Sequence, residues 1–295
     1  MKMVNIQMKF IKFMERKNNM EKGILYVVAT PIGNLDDITL RAIKILQEVD
    51  LIAAEDTRHT LKLLNHYEIN KPLISYHRHN EETKSEILIE KLRNGENIAL
   101  VSDAGTPGIC DPGEEVIKKA IEDNIEVIPI PGACAMINAL IVSGISTKEF
   151  EFLGFLPLNK KLRRQKLKEI ENSSKTIIIY EAPHKMKTTL GDLKEILKDR
   201  KIVLARELTK IHEEFIRKSI DELLSEIDTI KGEMILIIEG NKIDTEECKN
   251  FDEISLEDHY KLYEEKGLNK KEIIKQIAKD RNVNKNEIYM YFLEK

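Results

Sequence analysis

From Gly23 onward, short aliphatic and β-branched runs alternate with longer stretches in which apolar residues recur every three or four positions. A short continuous apolar run bounded by turn residues reads as a strand covered on both faces. The 3.6-residue recurrence reads as a helix packed by one face. Strands are predicted at 24–29, 51–54, 98–101, 125–130, 176–180, 202–205 and 234–238, and helices at 38–49, 81–93, 113–122, 133–142 and 184–197. Their alternation is the signature of an α/β protein. The stretch Pro129-Ile130-Pro131-Gly132 interrupts the rhythm and divides it into two α/β halves, 23–131 and 132–240. Residues 241–251, rich in Asn, Lys and acids, read as a linker. Residues 252–295 carry no strand signal and read as a small all-helical module of three short helices.

Composition narrows this picture. With 42% hydrophobic residues spread over 295 positions, a disordered chain is excluded, and no apolar run approaches the roughly 20 residues of a spanning helix. Three cysteines, Cys110, Cys134 and Cys248, form neither a disulfide framework nor a C-x-x-C site, which points to a reducing, cytoplasmic location. His59, His77, His79 and His184 share no ligand spacing with them, so no metal site is expected.

The net charge of −4, from 47 basic and 51 acidic residues, argues against a nucleic-acid partner until its distribution is read. Residues 1–22 hold six basic side chains and two acids. They read as a basic, disordered leader, or as an upstream start with Met20 the true first residue, and lack the unbroken apolar core of a secretory signal. Between Lys160 and Lys168 six of nine residues are basic. Lys160, Lys161, Arg163, Arg164 and Lys166 are therefore candidate RNA-binding residues, with a solvated helix face as the alternative. The last thirty residues carry eight basic side chains against four acids. In that block the apolar spacing suggests a helix-turn-helix, with Ile273, Ile277 and Val283 as its core and Tyr289 and Tyr291 in its last helix.

Candidate chemistry concentrates in two Gly/Pro-punctuated segments at strand ends, where open α/β sheets bind ligands. They are T-P-I-G-N-L after the first strand and S-D-A-G-T-P-G-I-C-D-P-G at 102–113. The second offers two acceptor carboxylates, Asp103 and Asp111. Neither segment is G-x-G-x-x-G or carries a phosphate-loop lysine, which disfavours nucleotide hydrolysis and classical NAD binding.

Taken in order, L-Y-V-V-A-T-P-I-G-N-L, L-I-A-A-E-D-T-R-H-T, L-V-S-D-A-G-T-P-G-I-C-D-P-G, P-I-P-G-A, Y-E-A-P-H, L-A-R-E-L-T-K and K-G-E-M closely resemble the small-subunit ribosomal RNA methyltransferases of the tetrapyrrole-methylase superfamily. The resemblance runs from about Gly23 to Gly240, and the helical tail also looks like that family's terminal extension. It implies two α/β domains of the tetrapyrrole-methylase type, with S-adenosyl-L-methionine in the cleft between them, and a homodimer. It further implies methylation of a cytidine ribose 2′-oxygen in the decoding region of 16S ribosomal RNA, with the 30S subunit as partner. By similarity Pro31, Ser102, Asp103, Ala104, Tyr180, Ala205, Arg206 and Gly232 line the cofactor pocket. Glu55, Asp56 and Glu181 are the carboxylates placed beside it, one of them or a water being the base, and Arg58 would orient a phosphate or a base edge. The E-D-T-R-H-T segment is typical of the RNA-modifying branch. Two competing readings are a tetrapyrrole C-methyltransferase and a non-catalytic RNA-binding protein on the same fold. The basic run and the terminal module would grip the RNA backbone, a dimer-packing appendage being the other reading of the module.

Overall fold

A computed structural model describes residues 22–241 except 198, and residues 251–293 except 252, 253, 266 and 282. Nearly all of the basic leader and of the expected linker, and Cys248, lie outside the described residues. Within the first half, the apolar runs stack as β1 (Leu25–Val28), β2 (Leu51–Ala54), β3 (Leu73–Ser75), β4 (Ile98–Val101) and β5 (Val127–Ile130). They form one parallel sheet of order β3-β2-β4-β1-β5. Strands β2 and β4 are buried at every position, which is why they read as unbroken aliphatic runs. Helices α1 (Leu40–Glu48) and α2 (Thr57–His66) cover one face through Ala42, Leu46 and Leu64. The other face is covered by α3 (Glu81–Arg93) and α4 (Glu114–Glu122) through Leu88, Ile89, Leu92, Val116 and Ala120. Each such leucine or isoleucine contributes roughly 1.5–3 kcal/mol by leaving water.

The second half folds as α5 (Ala135–Ser143), β6 (Phe150–Phe155), α6 (Lys160–Asn172), β7 (Thr176–Glu181), α7 (Pro183–Leu197), β8 (Ile202–Arg206), β9 (Glu214–Ile216), α8 (Ile220–Glu226) and β10 (Met234–Ile238). Its mixed sheet has the order β6-β7-β10-β8-β9, with β6 and β7 parallel and the other pairs antiparallel. Helices α6, α7 and α8 pack on one face, and α5 packs on the other together with Ile32 from the first half. The α/β class and the seven expected strands are all present. Three further strands escaped the pattern. The edge strands β3 and β9 have three residues each, and β6 slips register between Phe152 and Gly154, where Gly154 takes φ +60. The proline stretch is not a simple break either, since β5 runs through Pro129, which pairs with Val27. Proline is tolerated there because β5 is an edge strand with no second neighbour awaiting its N–H.

Residues 242–295 form a separate compact unit. Its helices are α9 (Leu256–Glu265), α10 (Lys270–Asp280) and α11 (Lys285–Tyr291), and its core is Ile273, Ile274, Ile277, Ala278 and Ile288. Val283, expected in that core, is 39% exposed. It lies in the turn after α10, and Ile274, Ala278 and Ile288 fill the space instead. Buried His259 holds the unit together: Arg281 Nε donates to its Nδ1 at 3.2 Å, so its Nε2 carries the proton it gives to Asp280 Oδ2 at 3.2 Å.

Candidate active site

Strands β1 and β4 are parallel neighbours, so the loops leaving their carboxyl ends, 30–34 and 102–113, emerge side by side. That is the position where open α/β sheets take ligands. The two loops are stitched together by Thr30 N–H to Gly105 O at 2.8 Å, Gly105 N–H to Thr30 O at 3.0 Å, and Thr30 Oγ1 to Ser102 O at 3.2 Å. Gly105 has φ +78, a conformation that favours glycine. The 30–34 loop also reaches the second half, where Asn34 N–H donates to Thr209 Oγ1 at 3.0 Å. At Gly33 an added Cβ would lie 2.7 Å from Thr209 Oγ1 and 2.9 Å from Leu208 O.

Between the halves lies a cavity of about 360 Å³. Its lining includes the apolar residues Ile32, Ala104, Ile109, Leu208, Met234 and Ile235 and the polar residues Thr106, Asp111, Tyr180, Glu181 and Glu233. Size, apolar walls and few polar groups match a small-molecule site. The glycine backbone at the wall and the separate apolar and acceptor surfaces suit an adenosyl group with its ribose hydroxyls. The Tyr180 hydroxyl accepts from Met136 N–H at 3.0 Å, and burial raises its pKa, so it keeps its proton and remains a donor. Phe152 and Phe155 stand edge-on to its ring.

Of the eight residues expected around the cofactor, Ala104 and Tyr180 line the cavity. Pro31, Ser102, Ala205 and Gly232 stand one to three positions from residues that do: Ile32, Ala104, Leu208 and Glu233. Asp103 is turned toward the E-D-T-R loop: its Oδ1 accepts from Asp56 N–H at 3.0 Å, and its own N–H donates to Glu55 Oε2 at 3.3 Å. Arg206 is drawn to Glu214 at 2.8 Å and to Lys231 O. The expected catalytic group is also rearranged. Arg58 folds back onto Asp56 at 2.6 Å, which holds the Asp56 carboxyl well below the usual range, and Asp56 caps α2. Glu181 lines the cavity, but Thr189 Oγ1 donates to one of its oxygens at 2.6 Å and Ala182 N–H to the other at 2.9 Å. Sequence reasoning noticed Asp111 as an acceptor carboxylate of the 102–113 loop. It lines the cavity, and its pKa is raised to about 6 by burial and by the nearby charges of Glu55 and Asp103. Its neighbourhood in space, which sets that value, has no counterpart in local sequence.

The basic run is helix α6, with Lys160, Lys161 and Arg164 exposed. Arg163 departs from the expectation. It turns inward, with Nε 2.7 Å from Asp192 and Nη2 3.0 Å from Thr189 Oγ1. Lys166 pairs with Glu169 at 2.5 Å. Arg163→Ala should therefore cost about 1–2 kcal/mol of stability, because it removes charge-assisted hydrogen bonds. Lys160→Ala, Lys161→Ala and Arg164→Ala should leave the melting temperature unchanged. Thermal unfolding of the four variants checks this.

A parallel and a mixed α/β sheet thus meet at one cleft of small-molecule size. In agreement, the family described as Tetrapyrrole (Corrin/Porphyrin) Methylases matches residues 24–224. A solved uroporphyrin-III C-methyltransferase from Thermus thermophilus, complexed with S-adenosylhomocysteine, superposes with a TM-score of 0.54 over 74% of this chain and 97% of its own, at 15% identity. The Ribosomal RNA small subunit methyltransferase I of Halalkalibacterium halodurans is 52% identical over 91% of this chain and 94% of its own. That of Bacillus subtilis is 49% identical over the same shares. The chain belongs to the ribosomal RNA small subunit methyltransferase I family.

Proposed function

We propose that this protein transfers the methyl group of S-adenosyl-L-methionine to the ribose 2′-oxygen of a cytidine in the decoding region of 16S ribosomal RNA. The observation that carries this reading is 49–52% identity, over nine-tenths of the chain, to relatives named for methylating small-subunit RNA. The cleft fits the donor. When bound, S-adenosylmethionine supplies a methyl group already activated on a sulfonium sulfur, so the chain's task is chiefly placement. Ile32, Leu208, Met234 and Ile235 would enclose the donor's apolar surface and keep water out, while the Ala104–Thr106 backbone meets its polar edges. Exposed Lys160, Lys161 and Arg164 are suited to backbone phosphates, which position an RNA without reading it.

The unit at 242–295 serves as a second RNA contact, and α5, with Ile137, Ile141 and Val142 exposed, supports the homodimer. Among the described residues no helix is long and apolar enough to cross a membrane. The test is to incubate purified protein and labelled donor with 30S subunits from a strain lacking it, then to digest the RNA to nucleosides. Label in 2′-O-methylcytidine is expected, and label in a porphyrinoid instead would overturn the reading. Removing residues 252–295 should weaken binding to the subunit at least tenfold and leave donor affinity unchanged. Equal RNA affinity after truncation would remove the second contact from the proposal.

A further inference from the structure

The irregularity in strand β6 decides where its last side chain goes. Pairing with β7 runs Phe152 with Ile178, then Gly154 with Ile179 and Phe155 with Tyr180, so Leu153 is the extra residue of a bulge. On an unbroken strand, residues three apart point to opposite faces of the sheet. Here the extra residue changes the phase: Phe152 and Phe155 pair with Ile178 and Tyr180, two positions apart on β7, and therefore share one face. Leu153 goes to the other face, among the side chains under α6, α7 and α8. Ring contacts agree, since Phe152 and Phe155 both meet the Tyr180 ring, at centroid distances of 4.8 and 5.9 Å. The bulge itself lies against the 102–113 loop, where a Cβ added to Gly154 would be 3.0 Å from Cys110 Sγ.

The side chain re-aimed in this way lines the cavity, yet it is 55% exposed, whereas Leu208, Met234 and Ile235 on the same cavity are buried. Phe155 therefore stands at the mouth and those three at the floor. It meets Tyr180 at 69°, a T-shaped contact, so its ring is not stacked on a parallel partner and keeps surface open to solvent. A few residues further along the chain, Asn159 starts α6 by accepting from Lys161 N–H at 3.0 Å and Leu162 N–H at 3.2 Å. The exposed cations Lys160, Lys161 and Arg164 follow at once, with exposed Leu158 and Leu162 beside them in the chain. An open aromatic ring next to exposed cations is the make-up of a single-stranded nucleic-acid site, in which the ring takes a base and the cations take phosphates.

We propose that Phe155 is the platform on which the base of the acceptor nucleotide stacks, holding its ribose at the mouth of the cleft; this deepens the functional reading above and rests on it. Methyl transfer needs the acceptor oxygen in line with the donor's methyl group, and a nucleotide kept within its own RNA stack does not reach into a cleft. Turning it out sacrifices stacking on its neighbours, and the Phe155 ring replaces that loss. Every base has a π-face, so the stack positions the nucleotide without selecting cytosine.

The test compares full-length wild type, Phe155→Ala, Phe155→Leu, Phe155→Tyr and Phe155→Trp on 30S subunits with labelled S-adenosylmethionine. Phe155→Ala is expected to lower kcat/KM for the subunit by about tenfold or more. Phe155→Leu should lose nearly as much, because it restores apolar bulk but no π-face. Phe155→Tyr and Phe155→Trp should stay within about threefold of wild type, as should the calorimetric affinity of all four variants for S-adenosylhomocysteine. Full activity in Phe155→Leu, or activity of Phe155→Ala within about threefold of wild type, would overturn the stack. So would Phe155→Tyr and Phe155→Trp both failing as alanine does. S-adenosylhomocysteine affinity falling in step with kcat/KM would overturn it too, by assigning the ring to the donor. Failure of the functional reading is distinguishable, because then wild type itself labels no RNA.

Discussion

Gly33→Val is expected to lower affinity for S-adenosylmethionine by at least tenfold, about 1.4 kcal/mol, while the protein still unfolds cooperatively. A first side-chain carbon at Gly33 would lie 2.5 Å from Lys210 Cγ, 2.7 Å from Thr209 Oγ1 and 2.9 Å from Leu208 O. Lysine can swing aside, but a carbonyl in the loop after β8 cannot move without its backbone, and valine adds two more methyl groups. The 30–34 loop must then withdraw, breaking the Asn34–Thr209 hydrogen bond and carrying Ile32 away from Leu208. Both of those side chains wall the cavity, so the pocket opens to water on that side. Gly191→Ala is the control. Gly191 is inside α7 with open space around it, so alanine there should be neutral or stabilising by about 0.5–1 kcal/mol. Calorimetry on both variants decides the matter: equal affinities would mean that contact between the two loops does not shape the donor site.

Glu181→Ala should cost about 2–3 kcal/mol of stability, the scale of losing hydrogen bonds to a buried charged group. Glu181 is 4% exposed, and it accepts from Thr189 Oγ1 and Ala182 N–H. Thr189, itself fully buried, in turn accepts from Arg163, which also pairs with Asp192. Alanine leaves the Thr189 hydroxyl hydrogen without an acceptor where no water reaches it, and loosens α6 and α7 from β7. Glu181→Gln should cost roughly half as much. Its amide has one acceptor oxygen, so its NH₂ group must face either the Thr189 hydroxyl hydrogen or the Ala182 N–H, each of them a donor. Folded Glu181→Gln should keep a methyl-transfer rate within a few-fold of wild type, whereas a base at this position would lose about 10²-fold or more. Chemical denaturation and single-turnover labelling of the same preparation separate these outcomes.

The two variants expose the boundary of what local sequence carries. The runs at β2, β4 and β10 were legible because a strand buried on both faces must be apolar at each position. The Gly/Pro segments were legible as loops for a similar reason, since their backbone demands are written in residue type. Strand β6 was not, because its register slip and the left-handed Gly154 break the two-residue alternation that marks a strand. Charge on helix α6 was read correctly as a basic helix and incompletely as a surface. Nothing within the run says that Arg163, alone among its basic neighbours, finds Asp192 and Thr189 from α7 beneath it.

The sequence by itself determined the α/β class, the placement of the glycine-rich loops at strand ends, the separate helical tail and the family. All of these depend on patterns within a few residues of one another or on long ordered motifs. Only the tertiary structure decided which partners each carboxylate takes. Glu55, Asp56, Asp103, Asp111 and Glu181 are chemically interchangeable on paper. Folding engages Asp56 with Arg58, places Asp103 against the Asp56 backbone and buries Glu181 against Thr189. Asp111 is half-buried beside Glu55 and Asp103, which with burial outweigh Arg78 and the Ser102 hydrogen bond, so its ionisation is held back. A carboxylate's reactivity follows from its desolvation and from the charges within a few ångströms of it, and those are set by contacts between residues some fifty positions apart in the chain.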